Sequence, residues 1–231
     1  MSGPRCSRCS VNCFSRHMPE GIFEEYVDFV DYESGDNVIQ QGAPIQNYHI
    51  LCEGYVKIGS RISSGKQAIF SLIHRPDIIE KPCIHNDQDY YPLYAVTVTP
   101  ARIGLITVPR FEELLERYPK FTQCVSEMIS QELEFQLRKI AVKNCSGSRE
   151  TLIWLLSHYD SQLNGDSDNG DVRDLHLSEL DLAHMVGVSR ETVVRHLSSM
   201  REKGLAKATR NSVVVLDHDR LTKAQSRLSI F

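Results

Sequence analysis

The chain has 231 residues, of which 41% are hydrophobic and 24% charged, with a net charge of −4; this is the composition of an ordinary globular protein, long enough for one large domain or two smaller ones. No run approaches the roughly 18 apolar residues of a membrane span, and Ser, Arg and Asn interrupt the N-terminus where a secretion signal needs an apolar core. A cytoplasmic protein with no membrane partner is predicted, in which the seven cysteines stay reduced and serve metal binding, redox chemistry or packing rather than disulfides.

Charge is unevenly spread. From Ser189 to Phe231 there are nine Lys/Arg against four Asp/Glu, while the rest of the chain holds seventeen basic and twenty-six acidic residues. A basic C-terminal segment on an acidic body predicts that an anionic partner docks at that end.

In chain order, residues 1–18 form an arm with Cys6, Cys9 and Cys13 beside Arg5 and Arg8. Pro19 to Val27 reads as a short amphipathic helix started by proline. Residues 19–108 make one domain. Within it, short β-rich runs (Val38-Ile39, 48–51, 55–58, 68–72 and 93–98) are punctuated by glycines at 35, 42, 54, 59 and 65. That spacing predicts a small antiparallel sandwich or roll, with Ser63-Ser64-Gly65-Lys66 as a hairpin tip.

Residues 109–145 form a helical region: one helix from Pro109 to Tyr118 and a longer one from Pro119 to about Val142. The long helix carries two apolar stripes, Phe121, Val125, Met128, Phe135 and Ile129, Leu133, Ile140. Two stripes separated by Glu127, Gln131 and Glu134 predict cover on two sides, by the helix's own domain and by a second subunit. Asn144 to Ser148 reads as a hinge. Residues 146–231 then form the last domain, opening with a helix capped by Ser148 and interrupted by a polar loop over 164–171.

The most informative stretch is Leu175 to Leu205. Leu177 to Met185 reads as a short helix capped by Ser178, Val186-Gly187-Val188 as a turn, and Arg190 to Lys203 as a second helix capped by Ser189, with Val193, Leu197 and Met200 on its core side. Such a pair sets the N-terminal side chains of the second helix into a DNA major groove. Arginine reads guanine bidentately and glutamate accepts from cytosine, so Arg190, Glu191, Val194 and Arg195 suit base readout. Behind them, residues 205–216 read as a hairpin wing whose Lys207 and Arg210 reach phosphate. With the caps Ser178 and Ser189, these eight residues are the candidate DNA-binding set. His184, His196 and His218 are expected to face phosphate or solvent. No nucleophile with its base, no phosphate-binding glycine loop and no paired acids stand out, so no enzyme is predicted.

The stretch "VSRETVVRHL" (188–197) resembles the recognition helix of the catabolite activator protein/FNR superfamily of bacterial transcription regulators. Gly35, Gly42, Tyr48, Ile50, Gly54, Val56 and Lys57 repeat the spacing of that family's cyclic-nucleotide-binding-like β-roll. The resemblance runs over nearly the whole chain from Pro19. It implies an α+β architecture with an N-terminal β-roll, a long dimerisation helix and a C-terminal winged helix-turn-helix. It further implies a homodimer on double-stranded, palindromic DNA with TGTGA-like half-sites, and RNA polymerase as a partner.

Cyclic AMP is not the expected effector. In nucleotide binders of this family the segment aligned with residues 76–93 carries Gly-Glu and then Arg-Ser; here Lys81 stands for the glutamate and Tyr91-Pro92 for Arg-Ser. A cyclic phosphate without its arginine is poorly held. FNR-type sensors instead hold a 4Fe–4S cluster on four cysteines, which the resemblance carries onto Cys6, Cys9, Cys13 and, from the β-roll, Cys83. The N-terminal spacing is shorter than in FNR, and the usual β-roll ligand position falls near Gly104. Arg5, Arg8 and Arg16 favour thiolates. Zinc on the same four thiols lacks a second C-x2-C. Direct thiol sensing without a cluster, and a small-molecule effector other than cAMP, stand as alternatives. Cys52 and Cys124 read as packed apolar residues, and Cys145 lies at the predicted hinge.

Overall fold

The structure is a computed structural model in which residues 14–19, 21–74, 76–80, 90–163 and 173–226 are described. The chain divides into two compact units, Met1–Leu133 and Glu134–Phe231.

In the first unit a 3-10 turn at Phe14–His17 leads to α1 (Ile22–Tyr26), whose start is set by Gly21 in the left-handed region at φ 83°. Eight strands follow: β1 (Asp28–Tyr32), β2 (Asn37–Ile39), β3 (Asn47–Glu53), β4 (Val56–Arg61), β5 (Gln67–Ile73), β6 (Asp77–Ile78), β7 (Tyr94–Thr97) and β8 (Ala101–Thr107). They pair antiparallel in two four-stranded sheets, β1-β8-β3-β6 and β2-β7-β4-β5. At the predicted hairpin tip Gly65 has φ 81°, and the Ile62 N–H donates to the Lys66 carbonyl.

One core lies between the sheets, with Ile39, Leu51, Val56, Ile58, Ala95 and Ile103 contributed from both. A second lies on the other face of the β1-β8-β3-β6 sheet. There Ile50, Ile78 and Ile106 meet Phe23 of α1, Phe111 and Leu114 of α2 (Val108–Arg117), and Phe121 and Val125 of α3 (Pro119–Cys145). Strands β3 and β8 are therefore buried on both faces, which replaces polar alternation by near-continuous apolar runs. Neither β8 nor β1 was among the predicted strands, although β8 is the centre of its sheet.

Phe14 and Met18 belong to the second core, 2% and 8% exposed. The Phe14 ring lies parallel to Phe23 at 6.3 Å and edge-on to Phe121 at 5.7 Å. The residue after Cys13 is thus fixed to α1 and α3. Cys52 and Cys124 pack, half-buried, against the same core, as apolar-like thiols do.

Helix α3 runs three residues past the predicted end. Asn144 and Cys145 are helical, and the break is confined to Ser146-Gly147. The cause is Ser146, whose N–H and hydroxyl both go to the Val142 carbonyl and close the last turn.

The second unit contains the end of α3, then α4 (Ser148–Leu163), β9 (Arg173–Asp174), α5 (Glu179–Val186), α6 (Arg190–Glu202), β10 (Ala206–Ala208), β11 (Val213–Val215) and α7 (His218–Ser226). Trp154 of α4 lies parallel to Phe135 of α3 at 5.5 Å. Ser148 is the first helical residue rather than the cap, and its hydroxyl pairs with His196 Nε2 at 2.9 Å. The wing has a third strand that was not predicted, β9, in the order β10-β11-β9. The polar loop expected over 164–171 lies outside the described residues.

Candidate nucleic-acid interface

Two serine caps build this site. The Ser178 hydroxyl accepts from the Asp181 N–H at 3.1 Å, while Asp181 Oδ2 accepts from the Ser178 N–H at 3.1 Å and from its hydroxyl at 2.6 Å. This closed capping box fixes the start of α5. Eleven residues on, the Ser189 hydroxyl accepts from the Thr192 N–H and starts α6. Between them Gly187 sits at φ 80°, ψ 38°, and the N–H groups of Gly187 and Val188 both go to the Ala183 carbonyl. A Cβ in this left-handed conformation is strained, so the tight turn depends on glycine.

Packing then orients α6. Val193, Leu197 and Met200 are 0–2% exposed and form its inner face, as predicted. The opposite side presents Arg190, Glu191, Val194 and Arg195, all exposed. Residues 191, 194 and 195 share one face by the i, i+3, i+4 rule. The chain's own N–H at Glu191, the Ser189 hydroxyl and neighbouring Arg190 hold the Glu191 carboxyl below the usual carboxylate range. At neutral pH it is an acceptor only, the state that suits a cytosine amino group.

Arg190 is not isolated. Its Nε and Nη2 donate to Glu179 Oε2 at 3.1 and 2.8 Å. Glu179 was not among the predicted site residues. The only hint in the sequence is that a serine cap and a charged residue recur eleven positions apart.

Behind α6, Leu205 and Ala206 are buried and the wing closes through Thr209 N–H to the Ser212 carbonyl at 2.7 Å. Lys207 and Arg210 are exposed on it, with the expected freedom to meet phosphate.

Two histidines depart from expectation. His196 turns to α4, where Ser148 pairs with it, and burial, then Arg195 and Arg149, lower its pKa against a smaller opposing effect of Glu150. Its ring is thus engaged within the unit, by Ser148 of α4. His218 Nδ1 pairs with Asp160, which is fully buried.

The sensor residues Cys6, Cys9, Cys13 and Cys83, and Lys81, lie outside the described residues. Among the described residues no group of three or more His, Cys, Asp or Glu could hold a metal ion. Gly104 on β8 is closely packed: a Cβ there would stand 2.5 Å from Val27 Cγ1. A ligating side chain at that position is therefore sterically excluded unless Val27 shifts. Tyr91, which the resemblance sets against the phosphate-binding arginine, is 7% exposed and donates its hydroxyl to the Asn47 carbonyl at 2.6 Å. Next to it, Glu80 Oε1 accepts from the His49 N–H at 2.8 Å and pairs with His49 Nδ1 at 2.9 Å. Glu80 Oε2 is buried without a hydrogen-bond partner among the described residues.

Comparison with known proteins agrees with this architecture. Residues 29–118 match the family described as Cyclic nucleotide-binding domain, and residues 150–224 the Crp-like helix-turn-helix domain. The chain is 24% identical to the CRP-like cAMP-activated global transcriptional regulator of Mycobacterium tuberculosis, over 84% of this chain and 86% of that one. Among solved structures, FixK2 from Bradyrhizobium japonicum superposes with a TM-score of 0.72 at 17% identity, covering 86% of this chain and 96% of that one. The c-di-GMP responsive global regulator CLP of Xanthomonas campestris gives 0.72 at 18% identity, covering 84% and 96%.

Proposed function

This chain belongs to the catabolite activator protein/FNR superfamily of DNA-binding transcription regulators, and from that premise we propose that it is a homodimer whose two α6 helices read a palindrome, under the control of an iron–sulfur cluster. The observation that carries the DNA reading is the shared exposure of Arg190, Glu191, Val194 and Arg195 on a helix whose other face is buried. Half-sites of the TGTGA type, one helical turn apart, follow from the arginine and glutamate set and from the family geometry. RNA polymerase is the partner through which such a regulator acts.

The dimer reading is supported by α3. Its first stripe is spent within the chain, since Phe121, Val125 and Phe135 are 0%, 1% and 8% exposed. Of its second stripe Ile129 packs against the same core, but Leu133 and Ile140 are 58% and 53% exposed, and Leu137 between them is 57% exposed. Apolar residues at i, i+4 and i+7 form a coiled-coil seam that a second copy would cover.

For the sensor, Cys6, Cys9, Cys13 and Cys83 supply the four thiolates that a 4Fe–4S cluster takes. Crowding at Gly104 favours a ligand from elsewhere in the β-roll, and the burial of Phe14 fixes the arm's end beside α3. Such a cluster supplies reactivity toward oxygen or nitric oxide. The burial of Tyr91 and the commitment of its hydroxyl to Asn47 argue against cyclic AMP.

Anaerobic purification tests the sensor: a brown protein with iron and acid-labile sulfide is expected, and a colourless, iron-free one refutes the cluster. A gel shift with a TGTGA-type palindrome tests the readout. Arg190→Ala and Arg195→Ala should each lose about 1–3 kcal/mol of base discrimination; unchanged selectivity would refute the docking.

A further inference from the structure

We propose that Glu179 is a positioning residue that sets the base specificity of Arg190. The inference rests on the reading of α6 given above and concerns a residue outside the recognition helix. Glu179 is the first residue of α5, mounted on the Ser178–Asp181 capping box. Its single oxygen Oε2 takes both Nε–H and one Nη2–H of Arg190, the first residue of α6. These two donors lie along one side of the guanidinium. The end of the fork, with both Nη1 protons and the second Nη2 proton, stays available for guanine O6 and N7.

The partners are unequally exposed: the Glu179 side chain is 19% exposed and that of Arg190 61%. The carboxylate is therefore the fixed member and the arginine the projecting one. A charge-assisted bond to a fixed anchor reduces the rotamer entropy that a long side chain loses on docking. Planarity matters as well, because locking one edge of a rigid fork orients the other. The capping box at Ser178 and the cap at Ser189 hold the two helix starts, and the turn at Gly187 joins the helices, so the distance between the residues is set by the motif itself.

The arrangement carries a second signature. An anion near the DNA backbone weakens binding to any sequence, so Glu179 trades general affinity for selectivity.

The test uses the full-length protein and a duplex with two TGTGA-type half-sites, compared with duplexes substituted symmetrically at each half-site position. Arg190→Ala identifies the base pair that Arg190 reads. At that position alone, Glu179→Ala should reduce discrimination about three- to tenfold, with Glu179→Gln intermediate. Binding to an unrelated duplex should be unchanged or tighter. In the Arg190→Ala background, Glu179→Ala should alter no position further. Thermal unfolding of Glu179→Gln checks that the domain is intact. If Arg190→Ala flattens one position and Glu179→Ala leaves it untouched, or weakens all positions equally, the positioning role is refuted and the α6 reading stands. If Arg190→Ala leaves every position unchanged, the α6 reading itself fails.

Discussion

Glu80 shows how one buried carboxyl shapes the response of the β-roll to pH. Burial pushes its pKa above the ordinary 4.5, and the hydrogen bonds and charge of His49 pull the other way without prevailing. A carboxyl that binds its proton more tightly when folded makes the folded state lose stability as pH rises through the interval above 4.5. Glu80→Gln keeps an oxygen for the His49 N–H and removes the charge. Its melting temperature should match the unaltered protein in acid and exceed it at higher pH; a difference constant with pH would contradict this account. Ser178 offers a separate test, because its hydroxyl closes the box under α5. Ser178→Ala should destabilise the C-terminal unit by about 1 kcal/mol, measured by denaturant unfolding. Side-chain pairings of this kind were the least legible in the sequence. Nothing near His196 or His218 announces that Ser148 and Asp160, forty-eight and fifty-eight residues away, take their ring nitrogens. Glu179 escaped notice for the same reason: its importance is a distance, not a residue type.

At the level of elements, periodicity carried most of the information. The inner face of α6 was legible because Val193, Leu197 and Met200 recur at helical spacing between capping and turn signals. Strand β8 was not, because burial on both faces erases the alternation by which a strand is recognised. Gly104 within it is needed for close approach of Val27 and Phe29. The two stripes of α3 were legible as periodicity, and Leu137, between Leu133 and Ile140 on the second, was missed. That residue gives the sharpest test of association. Leu137→Glu puts a carboxylate in the seam at a site 57% exposed in the single chain, so folding should be little affected. Sedimentation should show one chain instead of two, and affinity for the palindrome should fall about one to two orders of magnitude as the second half-site is lost. A stable dimer in this variant would place the interface elsewhere.

For the whole molecule, the contrast between a basic C-terminal segment and an acidic remainder makes DNA binding a salt-governed equilibrium. In the proposed dimer Lys207 and Arg210 would each meet phosphate twice. Replacing both with alanine should reduce the slope of log affinity against log salt by about 3 to 4, while the ranking of duplex sequences persists. A change in ranking would mean that the wing reads bases. Family membership and overall architecture were legible here because fold-level signals are redundant: caps, turn glycines, strand spacing and helix lengths all point the same way. The effector was far less legible, since three clustered thiols and one distant thiol, Cys83, specify a chemistry only through where the fold brings them.

The burial of Phe14 bounds that last question by polymer geometry. A trans chain spans at most about 3.6 Å per residue, so with Phe14 held in the core, Cys6 cannot stray more than about 30 Å from it. In the proposed sensor, three thiols so tethered would meet an acceptor near α1 and α3 at an effective concentration on the order of millimolar. On the proposed sensor reading such a reaction would be intramolecular, so the response should not change when the protein is diluted.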